Sequence, residues 1–184
     1  MMRAMLKRLR SERGFGLIEL LMAMTMLNIG ILAIIAAFNA GAVGLRRASR
    51  VTTAASLADQ QMELYRAQLN ANILLTTASA TGADANYDAD AACINPVSLI
   101  RECRTSGKQV SATSCPAGVP ANACSATRSA GGPDHHNYRV DTFIWYTTPT
   151  GGRQLTQVTV VVRDSLVPGG SLARETSTFD ASSG

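Results

Sequence analysis

No proline occurs between Phe15 and Asn95, so nothing in the first half of this 184-residue chain forces a helix to stop. Large aromatic side chains are scarce: one Trp, four Tyr and four Phe. The core of any exported domain must therefore be built mainly from aliphatic residues. Beyond residue 14 there is no net charge. Of 17 basic and 13 acidic residues, Arg3, Lys7, Arg8, Arg10, Arg13 and Glu12 lie in the first 14, and the remainder balances. The overall +4 therefore belongs to a short leader, and the basic footprint expected of a nucleic-acid binder is missing. No C-x-x-C pair occurs among the four cysteines, which excludes the usual zinc and thioredoxin-like spacings. A G-x-S-x-G elbow, an H-E-x-x-H helix and a phosphate loop are also lacking, so catalysis finds no motif to stand on.

What the chain does have is a long apolar run. From Leu17 to Leu45 the only strongly polar side chains are Glu19, Thr25, Asn28 and Asn39. That exceeds the roughly 20 apolar residues needed to cross a bilayer. The run is too long for a secretory h-region and has no A-x-A site to close it. Basic residues before it favour a cytoplasmic amino terminus, with Arg46, Arg47 and Arg50 ending it on the far side. Glu19 is the exception within the run. A carboxylate at membrane depth is costly, and it is retained where it has a partner and a function.

The helix is expected to continue from about residue 15 to about residue 70, roughly 80 Å at 1.5 Å per residue. Val51, Ala55, Ala58, Met62, Tyr65 and Leu69 recur at spacings of three and four, with Asp59, Gln60, Glu63 and Arg66 opposite. This half should pack on a soluble domain. Residues 71–136 are rich in Ala, Ser, Thr, Gly and Asn and contain Pro96, Pro116, Pro120 and Pro133. They read as a loop-rich segment with little regular structure, the alternative being partial disorder in 78–92 and 125–136. Residues 138–146 are rich in β-branched and aromatic side chains, a turn follows at 147–152, and Leu155 to Val162 alternates, so a hairpin is expected. Residues 171–179 would add a third strand. Val158, Val160 and Val162 should face the amphipathic half of the helix.

Cys93, Cys103, Cys115 and Cys124 all lie in the part expected to be exported, where an even count favours two disulfides. Three connectivities are possible. Sequential pairing, Cys93–Cys103 and Cys115–Cys124, closes the shortest loops at the lowest entropic cost.

The stretch Gly14-Phe15-Gly16-Leu17-Ile18-Glu19, after a basic leader and before an apolar helix, resembles the prepilin cleavage and methylation signature of type IV pilins and type II secretion pseudopilins. Residues 54–64, Ala-Ala-Ser-Leu-Ala-Asp-Gln-Gln-Met-Glu-Leu, are similar to minor pilins and minor pseudopilins. The resemblance implies an α+β, type IV pilin-like fold: a long helix, transmembrane in its first half, packed on a small antiparallel sheet. It divides the chain into a leader (1–14), a transmembrane and filament-core helix (15–45), the amphipathic half of that helix (46–70), a disulfide-stapled segment (71–136) and a sheet region (137–184). It implies cleavage after Gly14 by a prepilin peptidase and N-methylation of Phe15. The implied function is a structural subunit of a type IV pilus, most like a minor pilin, with a minor pseudopilin as the alternative. The other partners it implies are fellow pilin or pseudopilin subunits and an inner-membrane assembly platform. The protein is then a single-pass protein of the bacterial cytoplasmic membrane, its C-terminal domain exported, before it enters a pilus or periplasmic pseudopilus.

In physical terms, cleavage leaves a cationic amine on Phe15, four residues before Glu19. A charge pair in low dielectric is retained when both members are satisfied. Glu19 of one subunit meeting the Phe15 amine of the next would set their axial register. Many family members carry Thr where Gly16 stands. Many major pilins also have a proline early in the membrane helix, where this chain has only Gly30 beside Asn28 as a weak point.

Other features are assigned blander roles. Ala33, Ala37 and Gly41 form a small-xxx-small stripe suited to close helix approach. Asp134-His135-His136 lacks a third ligand placed by sequence, and no metal or cofactor is assigned. Trp145 belongs to the core, since one face of a hairpin strand is buried. No enzyme activity and no nucleic-acid or small-molecule ligand is assigned. The alternative of a pilus-tip adhesin or DNA-capturing subunit would use the 71–136 segment, with Arg101, Arg104 and Lys108 as its basic patch.

Overall fold

The computed structural model describes residues 16–80, 84–103, 109–167 and 169–180. The chain divides into two compact units, one ending at Arg46 and one beginning at Arg47. A single helix, α1 (Leu17–Arg66), supplies residues to both. It starts where the Gly16 carbonyl accepts the Glu19 and Leu20 amides at 2.9 and 3.2 Å. In the first unit every described residue is exposed, including Leu17, Met26 and Phe38. By length and composition this stretch suits a bilayer. One of its polar side chains is satisfied locally: the Thr25 hydroxyl donates to the Met22 carbonyl at 2.8 Å, closing its bond within the helix.

The second unit is an α+β domain. After α1 come β1 (Leu75–Thr76), α2 (Thr77–Ala80), α3 (Ala85–Ala89) and β2 (Ser111–Ala112). Four strands follow: β3 (Thr127–Gly131), β4 (Asn137–Thr147), β5 (Leu155–Asp164) and β6 (Ser171–Asp180). They form one antiparallel sheet in the order β3-β4-β5-β6, while β1 and β2 pair in parallel. The expected hairpin is β4–β5, in register from Tyr138↔Asp164 to Thr147↔Leu155, and β6 is the expected third strand.

Three features differ from the sequence reading. The buried stripe of α1 is Thr53, Ala54, Leu57, Ala58, Gln61, Met62 and Tyr65, whereas Val51, Ala55 and Leu69 are exposed. The stripe is turned by the polar anchors it carries. Gln61 and Tyr65 are fully buried because Gln61 donates to the Asn122 carbonyl at 3.0 Å and Tyr65 to the Ala123 carbonyl at 2.8 Å. Second, residues 127–131, within the segment expected to be irregular or disordered, form β3 against β4. Thr-Arg-Ser-Ala-Gly has little apolar bulk, and its place at the sheet edge comes from backbone pairing.

Third, both faces of the hairpin are buried. Val158, Val160 and Val162 lie on one face and Val161 on the other, all fully covered. On the first face α1 and its extension reach the sheet through Arg66–Glu175 at 3.0 Å and Asn70–Thr156 at 2.7 Å. The second face is covered by residues 84–93. Tyr87 stacks on Phe143 with centroids 4.2 Å apart and donates to the Thr142 carbonyl at 2.6 Å, and the Trp145 indole donates to the Ala92 carbonyl at 2.9 Å. Each large apolar side chain buried between these layers contributes about 1.5–3 kcal/mol.

Candidate functional site

Gly14 and Phe15 lie outside the described residues. Glu19 lies in the first turn of α1 and is exposed among Leu17, Ile18, Leu20, Leu21 and Met22. An acid there complements the partial positive charge of the helix amino end. No ion pair reaches it among the described residues, so the carboxylate is presented outward on an otherwise apolar surface. Further along, Ile34, Ala37, Phe38, Gly41, Ala42 and Leu45 line a shallow apolar groove of about 460 Å³. A Cβ added at Gly41 would meet nothing within 4 Å. Ala37 and Gly41 of the small-residue stripe thus form the floor of a depression that another helix can enter.

The other candidates are absorbed into the fold. Cys93 is bonded to Cys103 and Cys115 to Cys124, the sequential pairing. Cys93, Cys103 and Cys124 lie in the core, where the bridges hold an otherwise irregular segment. His136 Nε2 is 3.2 Å from Arg50 Nη2, and Asp134 accepts the Tyr138 hydroxyl and the His136 amide. The Tyr138 hydroxyl is pushed up to about 12, first by burial and then by the Asp134 carboxylate. No group of three potential metal ligands occurs among the described residues. Arg101 turns its guanidinium onto the Asp88 and Asp90 carbonyls, while Arg104 and Lys108 lie outside the described residues. Trp145 is buried, as a core residue and not a platform.

Sequence reasoning missed one constellation, a charge network between the sheet and residues 84–93, buried at Asp90, Asp141 and Arg163 and partly exposed at Asp84 and Arg174. Arg139 and Arg163 stand opposite each other in the β4–β5 register. Asp141 lies on the same face and takes both, Oδ1 from Arg139 Nε at 2.7 Å and Oδ2 from Arg163 Nε at 3.0 Å. Arg139 also pairs with Asp84 at 2.7 Å, Arg163 with Asp90, and Arg174 with Asp90 at 2.6 Å. The same two aspartates cap local turns, Asp84 accepting the Asn86 and Tyr87 amides and Asp90 the Ala92 amide. Burial pushes the Asp84 carboxyl up, but Arg139 and the Tyr87 amide outweigh it and hold it below its ordinary value. Burial likewise raises Asp90, and the Ala92 amide and Arg174 bring it down past the ordinary value. Three arginines and three aspartates leave the network neutral, and its role is to seat the disulfide-bearing segment on the sheet. The signal was Arg139 and Asp141, two residues apart on one strand and so on one face.

No curated protein and no solved structure matches this chain. Residues 9–35 match the family model of the prokaryotic N-terminal methylation motif. That motif, at the head of an apolar helix and followed by an α+β domain, is the signature of type IV pilins and pseudopilins, and this chain carries it.

Proposed function

We propose that this protein is a minor subunit of a type IV pilus. A prepilin peptidase cleaves it after Gly14, the new amino terminus on Phe15 is methylated, and the subunit enters the filament through its N-terminal helix. The observation that carries the reading is the methylation motif at residues 9–35, which sets Gly14-Phe15 immediately before an apolar helix with a single acid at Glu19. The signature implies a structural subunit that works with a prepilin peptidase and with other pilin subunits. Before assembly the helix is held in the cytoplasmic membrane, its amino end in the cytoplasm and its C-terminal domain exported.

Glu19 acts in assembly. In a hydrocarbon environment an unpaired carboxylate is costly, and the amine on Phe15 of a neighbouring subunit is the cation that cleavage creates. Pairing the two fixes the stagger between adjacent helices, while the groove at Ala37 and Gly41 allows close approach. The proposal favours a pilus over a pseudopilus because a soluble domain with two disulfides exceeds what a small pseudopilin needs.

Glu19→Ala tests the latch. The variant should be processed to the same size as the wild type but be depleted from sheared filaments, as read by immunoblot of the membrane and filament fractions. Incorporation equal to the wild type refutes the latch. Recovery from surface filaments supports the pilus, and confinement to periplasmic filaments supports the pseudopilus instead.

A further inference from the structure

We propose that a pocket beside the β4–β5 turn binds a uronic acid, a sugar ring bearing a carboxylate, through Tyr146 and Arg153. The inference concerns the second unit alone and stands whichever filament the chain enters.

The pocket forms where the cover of the sheet runs out. Helix α1 ends at Arg66, and Asn70 beyond it is pinned to the last strand pairs of the sheet. Its Nδ2 donates to the Phe179 carbonyl at 3.1 Å, and its Oδ1 accepts the Thr156 hydroxyl at 2.7 Å. Thr156 and Tyr146 stand directly opposite each other in the β4–β5 register, so their side chains share one face. Thr156 is buried, whereas Tyr146 is left 50% exposed. Tyr65, Tyr87 and Tyr138 are all buried, so Tyr146 is the one tyrosine that offers its ring to solvent. Leu69, 57% exposed, lines the same opening of about 460 Å³ together with Asn70, Gln154 and Thr156. That volume falls within the range of small-ligand sites, about 300–1,000 Å³. The turn that carries Arg153 is closed by the Gly152 amide, which donates to the Pro149 carbonyl at 2.8 Å. Both walls are therefore set by the fold itself.

Arg153 is the cation of the pocket. Its side chain is 72% exposed, and its counter-ion Asp180 stands 3.8 Å away, beyond hydrogen-bond distance. The guanidinium thus keeps its paired donors for an incoming carboxylate, the anion its planar fork matches. No Asp, Glu, His or Cys lines the opening, so it offers a metal ion none of its usual side-chain ligands. A single cation is too few for a nucleic-acid backbone, whose binding draws on many phosphate contacts. The polar wall of Asn70, Gln154 and Thr156 does not suit an alkyl chain. What remains is an aromatic face beside Leu69, an exposed amide at Gln154 and a cation with no hydrogen-bonded acid. A uronic acid answers all three: C–H groups on its ring faces for Tyr146, hydroxyls on its rim for Gln154 and a carboxylate for Arg153.

The test uses the full chain in detergent micelles, with binding read by isothermal titration calorimetry. The probe is trigalacturonate. Its methyl ester serves as the uncharged counterpart of the same shape, and triglutamate as a carboxylate carrier without a sugar ring. The proposal expects saturable binding of trigalacturonate at a single site, about tenfold tighter than the ester, the low end for a charge-assisted hydrogen bond because Arg153 is exposed. Tyr146→Ala should abolish binding of both sugars. Arg153→Gln should weaken trigalacturonate to the level of the ester and leave the ester unchanged. Both side chains are exposed, so the thermal midpoint of each variant should match the wild type and show that it is folded. Absence of saturable binding of trigalacturonate overturns the proposal. So does binding that survives both substitutions, since it then lies elsewhere on the chain. An ester bound as tightly as the acid removes the carboxylate from the site, and triglutamate bound as tightly as trigalacturonate removes the sugar; either result overturns the assignment.

Discussion

At the residue scale, the most consequential side chains are those whose charge is out of place. Glu19 has no cation within the described residues, which is why its partner is sought on another subunit. Arg163 is the opposite case, a buried cation held by Asp141 and Asp90. Removing one member of such a pair leaves the others uncompensated, at a cost of about 3–5 kcal/mol. Arg163→Met should therefore lower the denaturant midpoint of the detergent-solubilised full chain sharply, followed by Trp145 fluorescence. A loss below about 1 kcal/mol would show that the network is not shielded from water as its burial indicates. The aspartates set the response to acid. Asp84 and Asp90 have folded values below their unfolded ones, so their stabilisation is present above the unfolded value of about 3.9. It is lost as pH falls through the depressed folded values. Glu175 has the opposite sign, raised by burial and then by Asp59, and contributes a small gain as it protonates. Stability should accordingly decline as pH drops below about 4, and Asp90→Asn should flatten that decline. An Asp90→Asn curve as steep as the wild type would remove Asp90 from the account.

At the element scale, helix α1 and the β3–β4 turn meet closely. A Cβ at Gly132 would lie 2.7 Å from both Thr53 Cγ2 and Tyr138 Cε2, and it would also meet Asp134. Thr53 and Tyr138 are buried and cannot easily give way. Gly132→Ala should thus cost about 1–3 kcal/mol by overpacking, read as a lowered thermal midpoint, whereas Gly131→Ala, with open space around its Cβ, should not. Equal effects at the two glycines would contradict the packing described. The elements also show what periodicity can and cannot reveal. Helix α1 was legible because an apolar run without proline admits little else, and β4–β5 because β-branched and aromatic residues flank a Pro-Gly turn. Strand β3 was not, because Thr127–Gly131 owes its conformation to β4 and not to its own side chains. Residues 84–93 as a second cover for the sheet were also hidden, since Asp84, Tyr87 and Asp90 act through partners far away in sequence. Val51 and Leu69 misled for a related reason: hydrophobicity alone does not say which side of a helix the polar anchors Gln61 and Tyr65 will select.

At the scale of the whole molecule, the two units are built on different physical terms. Among the described residues of the first, apolar side chains are outside and Glu19, their one acid, is outside with them, an arrangement suited to lipid or to other helices. In the second, aliphatic residues lie inside, two disulfides close the irregular segment, and buried charges are matched in sign. The methylation motif at residues 9–35 was legible at once, because its residues are local in sequence. The manner in which the second unit holds itself together was not, because it depends on contacts between residues 84–93 and strands some fifty to eighty positions later. The central claim, that this chain is a precursor matured at Gly14 for assembly, is tested most directly by the intact mass of the protein extracted from its native membrane and from filaments. The account predicts loss of residues 1–14, one added methyl group, and the hydrogens missing from two disulfides. A protein that retains residues 1–14 and still enters filaments would contradict it.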